Sequence, residues 1–107
     1  MILVTRKIFR KSFIAMAIFP FILLRDKDLR LNQRLINHER IHLRQQLELL
    51  ILPFYIWYFI EYLIRLIQYK NAHQAYLNIS FEREAYCNDE DLEFLQNRKL
   101  FNFLRFL

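Results

Sequence analysis

The chain has 107 residues, 55% of them apolar, with eleven Phe, six Tyr, two Pro, no Gly and a net charge of +5. That length supports one domain around a single modest core, residues 1–107, and so much apolar surface excludes a disordered chain. Ten Lys/Arg against four Asp/Glu give residues 1–50 a net +6 while residues 51–107 carry −1, which suits anionic lipid; nucleic acid is set aside because no recognition motif accompanies the charge.

Residues 2–10 mix apolar and basic side chains and read as a first strand. The apolar run from Phe13 to Leu24 follows basic residues as a secretory signal would. However, Pro20 interrupts it, no small-residue cleavage site follows, and it is shorter than the ~20 residues of a spanning helix. Residues 16–24 therefore read as a buried strand, with Pro20 at an edge or bulge. Without glycine, turns needing a positive φ fall to Asn or Asp, which makes "RDKDLRLN" and "YKNAH" turn candidates.

Asn32 is a suitable N-cap for a helix from Gln33 to Leu52, which Pro53 kinks or ends. Phe54–Tyr69 reads as a second helix, running back beside the first once the chain has turned. The stretch Leu47–Gln68 admits two readings. It is either two core helices joined at a proline bend, or an apolar hairpin dipping into a membrane with Trp57 and the tyrosines at the interface. "KNAHQAYLNI" is a polar connection. Ser80 can cap a third helix that carries Glu82 and Glu84 in its first turn. A fourth helix is expected over Asp89–Lys99, before the apolar tail "LFNFLRFL". The lone Cys87 cannot close an internal disulfide and fits a reducing compartment, hence a cytoplasmic location with contact to the cytoplasmic membrane left open. The fold expected is α+β and mainly helical, with short N-terminal strands packed on the first helix.

Within the first helix, "NHERIH" places His38, Glu39 and His42 in the pattern H-E-x-x-H. Residues i and i+4 share one helical face, so both imidazoles can reach one metal ion. Zinc accepts nitrogen ligands and tolerates an open position for water. Glu39, rotated by about 100° around the helix, can serve as general base without competing as a ligand. A third ligand is still needed. The metzincin spacing puts Glu48 where its third His would be and lacks the Gly, so that pattern fails. His73 lies in a polar connection, and Cys87 in a helix is more often a packing residue.

Glu82, Ala85, Tyr86 and Asp89 recur on one helical face, and the small Ala85 allows close helix approach. H-E-x-x-H followed on a later helix by E-x-x-A resembles the gluzincin metallopeptidases, including the compact minigluzincins, the CAAX-prenyl-type membrane peptidases and the β-lactam-sensor peptidases. It is also similar to small bacterial zincin-like proteins. The resemblance implies one Zn2+ per chain on His38, His42 and Glu82, peptide-bond hydrolysis with Glu39 as base, and a peptide or protein substrate laid along an upstream edge strand. The usual form is E-x-x-A-D, whose Asp supports the first histidine. Tyr86 replaces that Asp here, leaving Asp89 or Asn37 as substitutes. Tyr86, Tyr76, His73 and Arg83 are candidates for the oxyanion donor. Two other readings stay open: a zinc-stapled scaffold with little or no turnover that binds a membrane surface or a protein partner, and a metal-free membrane-associated helical protein.

Overall fold

The computed structural model describes residues 2–5 and 14–107. Residues 6–10 of the first expected strand, and the start of the apolar run at Phe13, lie outside the described residues. The fold is α+β and mainly helical, as the sequence predicts. Among the described residues a three-stranded sheet precedes five α-helices: β1 Ile2–Val4, β2 Ala15–Ile18, β3 Phe21–Leu24, α1 Gln33–Glu48, α2 Leu52–Tyr69, α3 Ala72–Leu77, α4 Ser80–Asn88 and α5 Phe94–Asn97.

Residues 16–24 form a hairpin rather than one strand. Phe19 and a cis Pro20 occupy its turn, and Ile18 pairs with Phe21 on either side of it. β3 is central, antiparallel to β2 and parallel to β1, so β2 is an edge strand. Ala17, Ile22 and Leu24 are buried, and β2 packs on α1 beside the buried Ile41. "RDKDLRLN" contains a 3₁₀ turn over Lys27–Leu31, and Asn32 caps α1 by accepting the Leu35 N–H at 3.1 Å.

α1 stops at Glu48, four residues before the expected end, and Pro53 does not cause the stop. Leu50, at φ 61°, takes the left-handed position where a glycine usually ends a helix. The Ile51 N–H bonds the Gln46 carbonyl at 2.6 Å and the Leu50 N–H bonds the Leu47 carbonyl at 3.2 Å. These two bonds make the paired closure of a Schellman motif. Ile51 then adopts φ 68°, ψ −71°, and the Leu52 N–H bonds the Leu50 carbonyl, a strained γ-turn. Pro53 merely starts α2, where its missing N–H is not needed. The chain changes direction by 112°, so α2 crosses away from α1 instead of running back along it. Left-handed geometry falls on Leu50, Ile51, Lys70 and Phe101, on no Asn or Asp among the described residues; Asn71 caps α3 instead.

α3 forms within the expected polar connection and packs on α2. Ser80 is the first residue of α4 rather than its cap. The N-cap position holds Ile79, and capping comes from Glu61 of α2, whose carboxylate accepts the Ser80 N–H at 2.6 Å and the Ser80 hydroxyl. Asp89 ends α4, and the fourth expected helix shrinks to α5. Phe54, Ile79, Phe81 and Phe103 form an aromatic-rich core where α2, α4 and the C-terminal 3₁₀ turn Asn102–Phe106 meet. Of eighteen residues in α2, only Phe54 and Glu61 are buried. Ile56, Phe59, Ile60, Leu63, Ile64 and Ile67 form an exposed apolar stripe. No single helix among the described residues is long and apolar enough to cross a membrane.

Candidate metal centre

Helical spacing brings His38 and His42 to one side of α1, and α4 presents Glu82 to them; all three side chains are buried. Ala85, fully buried one turn after Glu82, fits the close approach of α4 to α1. His38 Nε2 and His42 Nε2 lie 3.1 Å apart, and Glu82 Oε1 is 3.2 Å from the first and 3.0 Å from the second.

The surrounding groups dictate the proton positions. His38 Nδ1 sits 3.1 Å from Asp89 Oδ2, an acceptor, so this nitrogen carries the hydrogen and Nε2 keeps its lone pair. Arg34 steadies Asp89 through its other oxygen at 2.9 Å. Asn37 does not reach His38 as an orienting partner; it ties down the loop by donating to the Asp89 and Asp91 carbonyls. His42 Nδ1 faces Gln45 Oε1 at 2.8 Å. The Gln45 amide is oriented by its nitrogen, which donates to the Phe81 carbonyl and to Glu84. His42 therefore donates from Nδ1 as well.

Two imidazole lone pairs and a carboxylate oxygen thus converge with no donor between them. Such a cluster requires a positive charge at its centre, either a proton or a metal ion. Burial opposes charge on His42, yet Glu82 outweighs it and pushes the imidazole up to about 9. Burial alone would raise Glu82, but His42 and His38 hold its carboxyl well below the usual range. The donor set fits a metal. Ligands at ~2.0–2.1 Å in a tetrahedron stand about 3.3 Å apart, close to the spacings here.

Tyr58, which the sequence does not single out, donates to Glu82 Oε2 at 2.6 Å, leaving Oε1 for the cluster. Burial and the Glu82 charge push its phenol far above the usual range, so it remains a donor. Tyr58 carries no local signal, because its contact depends on where α4 docks; Gln45 lies three residues after His42 on one face of α1, and only the orientation of its amide waits for Phe81 and Glu84.

Glu39 is buried beside the cluster, and burial pushes its carboxyl up against the opposing pull of His42 and His38. It lines two cavities, which share Ala15, Glu39 and Tyr76 as walls; one reaches His42 and Glu82 and the other reaches His38. One, of about 340 Å³, is walled by Ala15–Ile18, Phe54, Tyr55 and Tyr58 and is largely apolar. The other, of about 380 Å³, lies on the His38 side with Arg34, Tyr86 and Asp89. Tyr76 borders both, and its hydroxyl is 2.9 Å from that of Tyr86; the Tyr86 ring packs edge-on against His38 at 4.4 Å. His73 is exposed on α3 and lines neither cavity. Arg83 is directed to Asn78 and the Phe106 carbonyl, and Cys87 is exposed.

The outer edge of β2 faces this region. The Arg25–Ile14 bond sets the alternation, so Ala15 and Ala17 turn their backbone groups away from β3. Gln46 occupies part of that edge as a peptide group would: its Nε2 donates to the Ala17 carbonyl and its Oε1 accepts the Phe19 N–H, each at 2.8 Å. The Ala15 groups and the Ala17 N–H have no partner on that edge among the described residues. Comparison of the chain with protein-family models, curated proteins and solved structures finds no match.

Proposed function

We propose that the chain is a zinc-dependent peptidase of the gluzincin kind, with His38, His42 and Glu82 holding one zinc ion and Glu39 acting as general base. The observation that carries this reading is the convergence of His38 Nε2, His42 Nε2 and Glu82 Oε1, each within 3.2 Å of the others, beside the buried Glu39 carboxyl that lines a cavity. The metal supplies Lewis acidity, lowering the pKa of a water and polarising the scissile carbonyl. Glu39 takes the proton as that water attacks, and burial, which pushes its carboxyl up, makes it a stronger base. The proton then passes to the leaving amine. The Tyr76 and Tyr86 hydroxyls, which bond each other at 2.9 Å and line the cavity with His38 and Glu39, are the candidates to donate to the developing oxyanion.

The substrate is an extended peptide added to the edge of β2 through the Ala15 groups and the Ala17 N–H. The 340 Å³ cavity takes one of its apolar side chains. Glu39→Gln tests the reading: it should retain zinc and lose hydrolysis of an apolar peptide library by about 10²-fold or more. Undiminished cleavage in that variant would refute the assignment.

A second reading is favoured by the exposed apolar stripe of α2. In it the zinc staples a scaffold whose outward helix face binds a membrane or a protein. Stoichiometric zinc in the wild type with no hydrolysis of any library peptide would select this reading.

A further inference from the structure

A chain of buried polar groups runs from His42 to the C-terminal segment, and the proposed reaction uses none of its outer members. Gln45, fully buried, accepts the His42 Nδ1–H and donates to Glu84 Oε1 at 2.8 Å. Glu84, also fully buried, binds Arg98 in a fork: Arg98 Nε donates to Oε2 at 2.6 Å and Nη2 to Oε1 at 3.0 Å. Asn102 donates to Glu84 Oε2 at 2.9 Å. The remaining arm of Arg98 donates to Glu48 Oε2 at 2.6 Å, and the Arg98 side chain has no exposed surface.

The direction of each bond follows from the chemistry of its end. Arg98 can only donate, and with Asn102 it holds both Glu84 oxygens as acceptors. An accepting Glu84 oxygen demands the nitrogen of Gln45, which also has the Phe81 carbonyl as a second acceptor. The Gln45 oxygen must then face His42, so His42 bears its hydrogen on Nδ1 and offers a lone pair at Nε2. Flipping the amide would set oxygen against carboxylate and shift the His42 hydrogen to Nε2, where it would block a metal. The tautomer of His42 is thus decided three side chains away.

We propose that Gln45, Glu84 and Arg98 are positioning residues for the metal centre. Through them the C-terminal segment, which supplies Arg98, sets the metal affinity of a ligand it does not touch. This inference rests on the metal-centre reading. Ligand-orienting partners of this kind typically change metal affinity 10–100-fold.

Titration with Co2+, read by its visible ligand-field absorption, tests it. Gln45→Leu keeps the Arg98–Glu84–Glu48 ion pairs intact while removing the acceptor for His42; Arg98→Met removes the far end. Each should bind Co2+ about 10–100-fold more weakly with an altered absorption band. The double variant should be no weaker than the weaker single one, because both act through one path. Wild-type affinity and spectrum in a folded Gln45→Leu protein would overturn the proposal, as would losses that multiply in the double variant. If Arg98→Met does not fold, the affinity and spectrum of Gln45→Leu decide alone. Wild-type protein that binds no Co2+ would overturn the metal-centre reading as well, which separates the two failures.

Discussion

Asp89 Oδ2 stands 3.1 Å from His38 Nδ1, fifty-one positions away in the chain, and Arg34 holds the opposite carboxylate oxygen at 2.9 Å. The carboxylate orients the ring and selects its tautomer. It lies at the end of α4, two turns after Glu82, so one short helix delivers both Glu82 and the partner that orients His38.

Asp89→Ala should therefore weaken zinc binding about 10–100-fold while every ligand remains. Competition against a chromophoric chelator measures the change. An unaltered dissociation constant would show that Asp89 matters only to the loop it ends.

The His42 shift makes metal binding depend on pH. In the metal-free protein its folded value, about 9, exceeds the unfolded 6.5. The stabilisation is fully present below pH 6.5 and is lost as pH rises through about 9. Glu82 is shifted the other way, so its contribution is present above the ordinary carboxylate value of 4.5 and fades as pH falls toward its lower folded value. Metal-free protein should thus melt at its highest temperature at about pH 5–6.5. Zinc must displace the His42 proton, so its apparent affinity should climb up to about tenfold per pH unit until pH 9. Calorimetry in buffers of different ionisation heat should find close to one proton released per zinc at pH 7. Zero release would contradict a protonated cluster.

Tyr58→Phe removes the 2.6 Å donor to Glu82 and leaves one oxygen of a buried carboxylate unsatisfied. A lost hydrogen bond to a charged group costs about 1.5–3 kcal/mol. The metal-free variant should lose that much stability in urea unfolding, and metal affinity should fall as Glu82 gains freedom. No loss would mean that water replaces the phenol without penalty.

Leu50 spends its exposed side chain, 78% accessible, at a left-handed position that suits glycine. Relief of about 1–2 kcal/mol of strain, less the entropy a glycine adds to the unfolded chain, predicts that Leu50→Gly stabilises by about 0.5–1 kcal/mol. A rise in the urea midpoint at unchanged slope checks it. A fall would mean that Leu50 packs on something in solution.

Much of α1 was legible because its signals are local. Asn32 accepts its own helix's Leu35 N–H, and no Gly or Pro interrupts the helix before Pro53. The end of that helix was not legible. Proline is the visible stop signal, but the stop falls on Leu50 and Ile51, whose side chains give no hint of a positive φ. Neither did residues 16–24 announce a hairpin, since a turn through Phe19–Pro20 looks apolar throughout. Glu82 and Glu84 illustrate the limit at the site. Both sit at the start of α4, yet one meets the histidines and the other is buried against Arg98. Only the E-x-x-A resemblance distinguishes them in one dimension.

The sequence by itself determined that His38 and His42 share a helical face with Glu39 beside them, because a spacing of four residues is a property of one α-helix. It also determined the fold class, through a short apolar run bounded by charge and broken by Pro20, followed by a long stretch from Gln33 to Leu52 free of Pro. Tertiary structure alone decided that Asp89 and Tyr58 surround the cluster and that Arg98, through Glu84, stands behind Gln45. Most of these contacts join residues twenty or more apart, and their geometry depends on a 112° bend and on where α4 docks. Packing of the whole chain sets those quantities, and no local periodicity encodes them.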